Sequence, residues 1–220
     1  MPTRRLLSTF ALSALVAVAG AGCSAVKYNA LEKVGIHKRD LLVGNVEDAR
    51  DAQEDAQEEF RDALEQFGSV VQIEETGLKK AYDRLNGEYE DAQEAAEEVS
   101  EQIDEVERVA EDLFDEWAEE NDLYTDANLR RDSEASLRTT RARYKEMLAT
   151  MKESEKSMEP VLATFRNNVL YLKHNLNAQA IGSLQGTFST LQGDVDRLIE
   201  QMNRSIERSN QFIREMNVAA

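Results

Sequence analysis

The feature that most constrains the fold is a run of apolar residues from Leu78 to Trp117, spaced alternately four and three residues apart. Such spacing over more than five heptads is typical of a helix that buries one seam in a coiled coil. Similar seams run from Leu42 to Val70, from Leu137 to Leu176 and from Leu184 to Met216. With only 2 Pro and 10 Gly in 220 residues, the sequence predicts an all-α fold built from four long helices.

Short breaks separate the four seams, and connections of this length join antiparallel neighbours. We therefore expect an elongated antiparallel up-down-up-down four-helix coiled-coil bundle over residues 31–217. Its helices are expected at about residues 31–72, 77–121, 129–174 and 178–216. Since heptads on every helix also fit hairpins that open to form a dimer, the sequence leaves monomer and dimer as alternatives.

Some seam positions are polar, and one helix contains a proline. The polar residues are interpreted as register-setting groups or as partners at the seam edge; they are Gln53, Arg141, Glu155, Ser205 and Ser209. Pro160 lies inside the third helix without a change of heptad phase. We expect it to kink that helix or to restart it after Ser157.

Residues 1–22 have the organisation of an export signal, with MPTRR followed by the apolar stretch LLSTFALSALVAVAGAG. This stretch is shorter than the roughly 20 residues that a membrane-spanning helix needs. The following Cys23 completes a lipobox-like sequence, although Gly20 occupies a position where a branched aliphatic residue is usual. We expect a lipidated Cys23 followed by a short linker, residues 23–30, and ordinary secretion is the alternative.

The single cysteine excludes a disulfide scaffold and fits a chain whose one thiol becomes a thioether. Ser24 follows it, where Asp would indicate retention in the inner membrane. The expected location is the periplasmic face of the outer membrane, reached through an N-terminal lipid anchor. A soluble periplasmic protein is the alternative.

The net charge of −17 is concentrated in the first predicted hairpin: residues 47–126 contain 30 acidic and 6 basic residues. An acidic chain of this kind is expected to bind no nucleic acid, because phosphate binding needs clustered Lys and Arg. The acidic surface is either a solvated face or a docking surface for a basic partner or divalent cations. The candidate partner-binding residues lie on the second helix and are Glu94, Glu97, Glu98, Glu101, Asp104 and Glu105.

A basic cluster opens the second predicted hairpin, with Arg130, Arg131, Arg138, Arg141, Arg143 and Lys145. Antiparallel geometry brings it to the end of the second helix, DEWAEEND. The cluster is expected to neutralise that segment within the chain or to face phospholipid headgroups.

No combination of residues in the sequence predicts catalysis. Neither His37 nor His174 has the Glu three residues earlier that di-iron bundles use, and the predicted helices place the two at opposite ends. The sequence has no nucleophile elbow, phosphate-binding loop, zinc-ligand spacing or EF-hand loop. We expect a non-enzymatic protein with no catalytic residue, cofactor, metal site or small-molecule substrate.

Five segments resemble an uncharacterised family of bacterial coiled-coil proteins catalogued as domain of unknown function 2959. They are EKVGIHKRD at 32–40, VEDARDAQEDAQEEF at 46–60, LFDEW at 113–117, NLRRDS at 128–133 and VLYLKHNLNAQAI at 169–181. The resemblance covers about residues 28–216 and implies a helical, lipoprotein-like envelope protein. It implies no activity, ligand or catalytic residue.

Two functional hypotheses follow. The first is a structural or adaptor lipoprotein whose acidic hairpin engages a protein partner. The second is an oligomeric membrane-surface protein that shapes or senses the bilayer, although its acidic hairpin would be repelled by anionic lipids.

Lipidation of Cys23 has a direct test. We expect the intact mass of the mature protein to show an N-terminus at Cys23 that carries acyl chains. A mature protein that begins at Gly22 without acyl mass would show ordinary secretion instead.

Overall fold

The structure is a computed structural model that describes residues 38–72 and 77–218. The described residues form four helices, α1 (Lys38–Val70), α2 (Leu78–Asn121), α3 (Ala127–His174) and α4 (Ala178–Val218). The chain divides into a unit of residues 1–37 and a unit of residues 38–220, and all four helices belong to the second. The predicted signal peptide, Cys23 and the linker lie outside the described residues, as do positions 31–37 of the expected first helix.

The helices form an antiparallel bundle. Each packs against its neighbour in sequence, and α4 closes the arrangement by packing against α1. In α1 and α4, Arg50 is hydrogen-bonded to Asn210 and Gln57 to Asn203, so residue numbers rise in one helix as they fall in the other. The expected all-α four-helix fold is confirmed. None of the described helices is long and apolar enough to cross a bilayer.

The predicted seams form the core. In α1 every seam position is buried, namely Leu42, Val46, Ala49, Gln53, Ala56, Phe60, Ala63, Phe67 and Val70. The seam of α2 is buried as well, except for three large aromatic residues that are half-buried, Tyr82, Tyr89 and Trp117. Burial of these apolar side chains provides most of the stabilisation of a helical bundle.

The seam of α3 differs from the prediction. The heptad spacing from Leu137 to Leu176 predicts Leu148, Glu155 and Leu162 inside, but the preceding residues, Met147, Ser154 and Val161, are more deeply buried. Spacings of three and four both continue a heptad seam, so adjacent residues compete for the same position. The structure turns α3 so that Glu155 faces α2, where it accepts a 2.6 Å hydrogen bond from Ser100.

A buried polar contact crosses the core between α1 and α3. The Ser154 hydroxyl lies 3.0 Å from Gln53 Oε1 and 2.8 Å from the carbonyl of Met151, so its one proton is shared between these two acceptors. Gln53 Nε2 donates to the carbonyl of Ala49 at 3.0 Å. Both Gln53 and Ser154 are fully buried. A buried pair of this kind favours one register of the helices, because any other leaves polar atoms without partners.

α3 continues through Pro160 and does not restart after Ser157. Pro160 cannot donate to the carbonyl of Lys156, which a regular helix would require. Both residues are exposed, so water can reach that carbonyl. A proline on the solvent side is therefore compatible with an uninterrupted helix here.

We expect Ser154→Ala to destabilise the bundle by about 1–3 kcal/mol, because Gln53 Oε1 would be buried without a hydrogen-bond donor. Adding Gln53→Leu should recover most of this loss, since the polar group itself is then removed. The measurement is a double-mutant cycle from urea unfolding. Ser157→Ala is the matched control, because Ser157 bonds only within its own helix, to the carbonyl of Ser154 at 2.7 Å. Additive effects of the two substitutions would show that the contact is not coupled.

Candidate interaction surface

The six acidic residues proposed on α2 border two different grooves of the bundle. Glu94 and Glu98 line a groove between α1 and α2, whereas Glu97 and Glu101 line a groove between α2 and α3. The other two take part in ion pairs, Asp104 with Lys152 at 3.0 Å and Glu105 with Arg108 on the same helix. At 3.6 residues per turn the six residues lie within an arc of about 120° on α2, so they share the outward side of this helix and border different neighbours on its two edges.

The groove between α1 and α2, which we call the acidic groove, has a volume of about 380 Å³. Small residues, Ala52 and Ala95, belong to its lining, and all its other lining residues are carboxylates: Asp55, Glu58, Glu59, Asp91, Glu94 and Glu98. Alanine side chains are short, so charged groups from two helices come close together. No basic residue lines this groove.

Burial and mutual repulsion raise the pKa of two carboxylates in and beside the acidic groove. Burial raises the pKa of Glu59, and the neighbouring carboxylates Asp91, Asp62, Glu88 and Glu58 raise it further. The pKa of Glu88 is raised by burial and then by Asp62 and Asp91. One carboxylate oxygen each from Glu59, Glu88 and Asp91 lies within 4.8 Å of the other two. This part of the surface is therefore suited to a cation, whether a metal ion or a basic side chain.

The opposite side of α2 is neutralised by α3. Lys152 Nζ lies 3.0 Å from Asp104, 2.9 Å from Glu107 and 3.6 Å from Glu155. Burial acts to lower the pKa of Lys152, but hydrogen bonds to Glu107 and Asp104 raise it well above its ordinary value. The acidic residues that face α3 thus have a cation among them, unlike those in the acidic groove.

The predicted basic cluster is largely paired within the bundle. Arg130 contacts Asp122 at 2.6 Å and Glu134 at 2.9 Å, and Arg143 contacts Glu215 of α4 at 3.2 Å. Arg141 lies 3.6 Å from Asp115.

The other members differ in their surroundings. Arg138 is 4.0 Å from Glu134, Arg131 donates to the carbonyl of Ala127, and Lys145 is exposed. These contacts agree with neutralisation of the end of α2 more than with a free headgroup-binding surface.

Sequence reasoning missed the α1 half of the acidic groove. Asp55, Glu58 and Glu59 line it, and together with Asp62 beside it they follow the spacing of three and four residues that places side chains on one helix face. Asp91, Glu94 and Glu98 do the same on α2. Folding the hairpin about residues 71–77 would have placed the acidic residues of α1 beside those of α2. The pattern of each helix taken alone does not indicate this pairing.

The family model described as "Protein of unknown function (DUF2959)" matches residues 27–216, which confirms the resemblance drawn from the sequence segments. No curated protein and no solved structure matches the chain.

Removing charge at Glu59 in the acidic groove and at Glu88 beside it should stabilise the bundle near neutral pH. The raised pKa values of Glu59 and Glu88 mean that the folded chain holds protons more tightly than the unfolded chain. Stability therefore increases as pH falls from the raised values toward their ordinary value of 4.5, and decreases as pH rises through the same window.

Glu59→Gln with Glu88→Gln should stabilise the protein at pH 7 by up to about 1 kcal/mol, the upper range for solvent-screened pairs. The advantage should shrink as pH falls to the ordinary glutamate value. Urea unfolding at pH 7 and pH 5 measures it, with Glu111→Gln and Glu119→Gln as an equal change of charge at exposed positions. Equal stability of both double variants at pH 7 would contradict the expected repulsion.

Proposed function

We propose, on the premise that the chain belongs to the family described as "Protein of unknown function (DUF2959)", that it is a non-enzymatic envelope lipoprotein acting as an adaptor. Residues 1–22 direct export, and an acylated Cys23 anchors the chain at the periplasmic face of the outer membrane. The helical bundle then presents the acidic groove to a protein partner. The lipobox-like sequence supports the anchor, and the groove supports the docking role.

The observation that carries the proposal is the acidic groove. Six carboxylates from two helices line one concave surface, and no basic residue lines it. Elsewhere on α2, comparable carboxylates are paired with Lys152. The lack of a basic partner is therefore specific to the acidic groove and is not shared by all acidic parts of α2. A fixed row of like charges is complementary to a row of Lys and Arg, and such complementarity provides both steering and specificity.

The partner is therefore a protein with an exposed basic helix or loop. Coulombic attraction to several carboxylates would offset the repulsion that already raises the pKa of Glu59 and Glu88. A lipid anchor would confine the chain to a membrane surface and increase the rate at which it meets a partner held at that surface.

The test is cross-linking in cells followed by purification of the full-length chain and mass spectrometry. A variant with Glu58→Gln, Glu59→Gln, Asp91→Asn and Glu94→Gln should keep its helicity and lose the partner at least about tenfold, as expected for several charge pairs. The control replaces four exposed carboxylates outside the groove with Gln: Glu111, Glu119, Glu120 and Glu207.

Both variants change the net charge equally, so only a role of the acidic groove itself separates them. Cys23→Ser should reduce recovery of the partner without changing the fold. Recovery of the same partners by the groove variant and by the control would overturn the docking role. Self-links alone would favour a homo-oligomeric structural element.

A further inference from the structure

Acidic residues are missing from one continuous part of this acidic chain. The sequence has 43 Asp and Glu among 220 residues, yet none between positions 160 and 193. This segment forms the last turns of α3, the connection to α4 and the first turns of α4. It lies at the end of the bundle opposite the basic cluster, because that cluster begins α3 and this segment ends it.

Three large apolar side chains are exposed there. Leu170 is 48% exposed, Tyr171 38% and Leu176 42%, all within the end of α3 and the residues just after it. The exposed basic side chains beside them are Arg166, Lys173 and His174. We call these six residues the apolar-basic tip.

The surroundings of the tip add positive charge and few carboxylates. Ser100 pairs with Glu155 and Asp104 with Lys152, so α2 and α3 run antiparallel in a register that brings Lys80 level with Leu176. Lys80 is exposed, and Asp83 of the same helix is paired with Lys79 at 2.9 Å. Glu74 and Glu75 of the α1–α2 connection lie outside the described residues. The first turns of α4 expose only uncharged side chains, among them Gln179, Ser183 and Gln185.

The other end of the bundle provides a natural comparison. Leu123, Tyr124 and Leu129 are also exposed there, at 78%, 44% and 56%. However, five acidic residues flank them along the chain, against two basic residues, Arg130 and Arg131; the acidic ones are Glu119, Glu120, Asp122, Asp126 and Asp132. Two exposed apolar surfaces of similar composition therefore differ in the charge around them.

We propose that the apolar-basic tip binds an anionic phospholipid surface. Leu and Tyr side chains partition into the headgroup and acyl boundary, and Lys and Arg beside them are attracted to anionic lipids. The acidic groove is repelled by the same surface, so contact would be made by the end of the bundle and not by its side. This proposal is independent of the adaptor function and of acylation at Cys23.

The experiment uses the full chain with Cys23→Ser and one new cysteine that carries an environment-sensitive fluorophore. Gln179→Cys reports on the tip, and Thr125→Cys reports on the opposite end; both positions are exposed. Vesicles contain equal parts of phosphatidylglycerol and phosphatidylcholine, or phosphatidylcholine alone. The tip label should shift to the blue with anionic vesicles and little with neutral ones, and the label at position 125 should not respond.

Variants of the tip separate its apolar and basic contributions. Lys173→Gln should weaken binding to anionic vesicles about fivefold, the effect expected of one cation near such a surface. Leu170→Ser with Tyr171→Ser should weaken it further, whereas the matched pair Leu123→Ser with Leu129→Ser should leave it unchanged. Circular dichroism shows that each variant is folded.

Three results would overturn the proposal. The first is no response of the tip label to anionic vesicles, and the second is an equal response at both labelled positions. The third is a shift of the tip label that depends on protein concentration without vesicles, which would assign the tip to contact with a second copy of the chain.

Discussion

Burial of the α1 and α2 seams is the constraint on which the surface chemistry depends. Full burial of a side chain such as Phe60 or Leu85 contributes about 1.5–3 kcal/mol, whereas a solvent-screened charge pair contributes at most about 1 kcal/mol. The apolar seams therefore set the position of the helices. The carboxylates beside the seams are held close together even though they repel one another. The acidic groove is a consequence of core packing between two helices that carry acidic stripes next to their seams.

α2 lies between two different electrostatic environments. Toward α3 its carboxylates surround Lys152, and near its end they pair with Arg130 and Arg141. Toward α1 they meet further carboxylates, and the pKa values of Glu59 and Glu88 are raised. The negative charge of the first hairpin is therefore not uniform. The carboxylates that face α3 have a basic side chain among them, whereas no basic residue lines the acidic groove toward α1. A basic partner would be directed to that side by the field alone.

The sequence predicted the number, type and antiparallel arrangement of the helices, because apolar residues that recur over many heptads fit few structures other than packed long helices. It also predicted the complete seam of α1. It failed in α3, where Met147 and Leu148 compete for one inward position and only the packing of neighbouring helices decides between them. It also missed the acidic groove, since the contribution of Asp55 and Glu58 depends on the pairing of two helices and not on either pattern alone. Family membership agrees with the predicted fold, but a family of unknown function assigns no chemical role to particular residues.

The contact between Gln53 and Ser154 has a mechanical consequence. If α3 moved by one heptad along α1, Gln53 would face the position of Met147 or Val161, both of which are buried and apolar. Gln53 Nε2 would keep its bond to Ala49, but Gln53 Oε1 would be left without a donor inside the core, so axial slippage is opposed at a defined point near the middle of each helix. A force applied at one end of the bundle would accordingly move the other end with it, and the helices would not slide past one another.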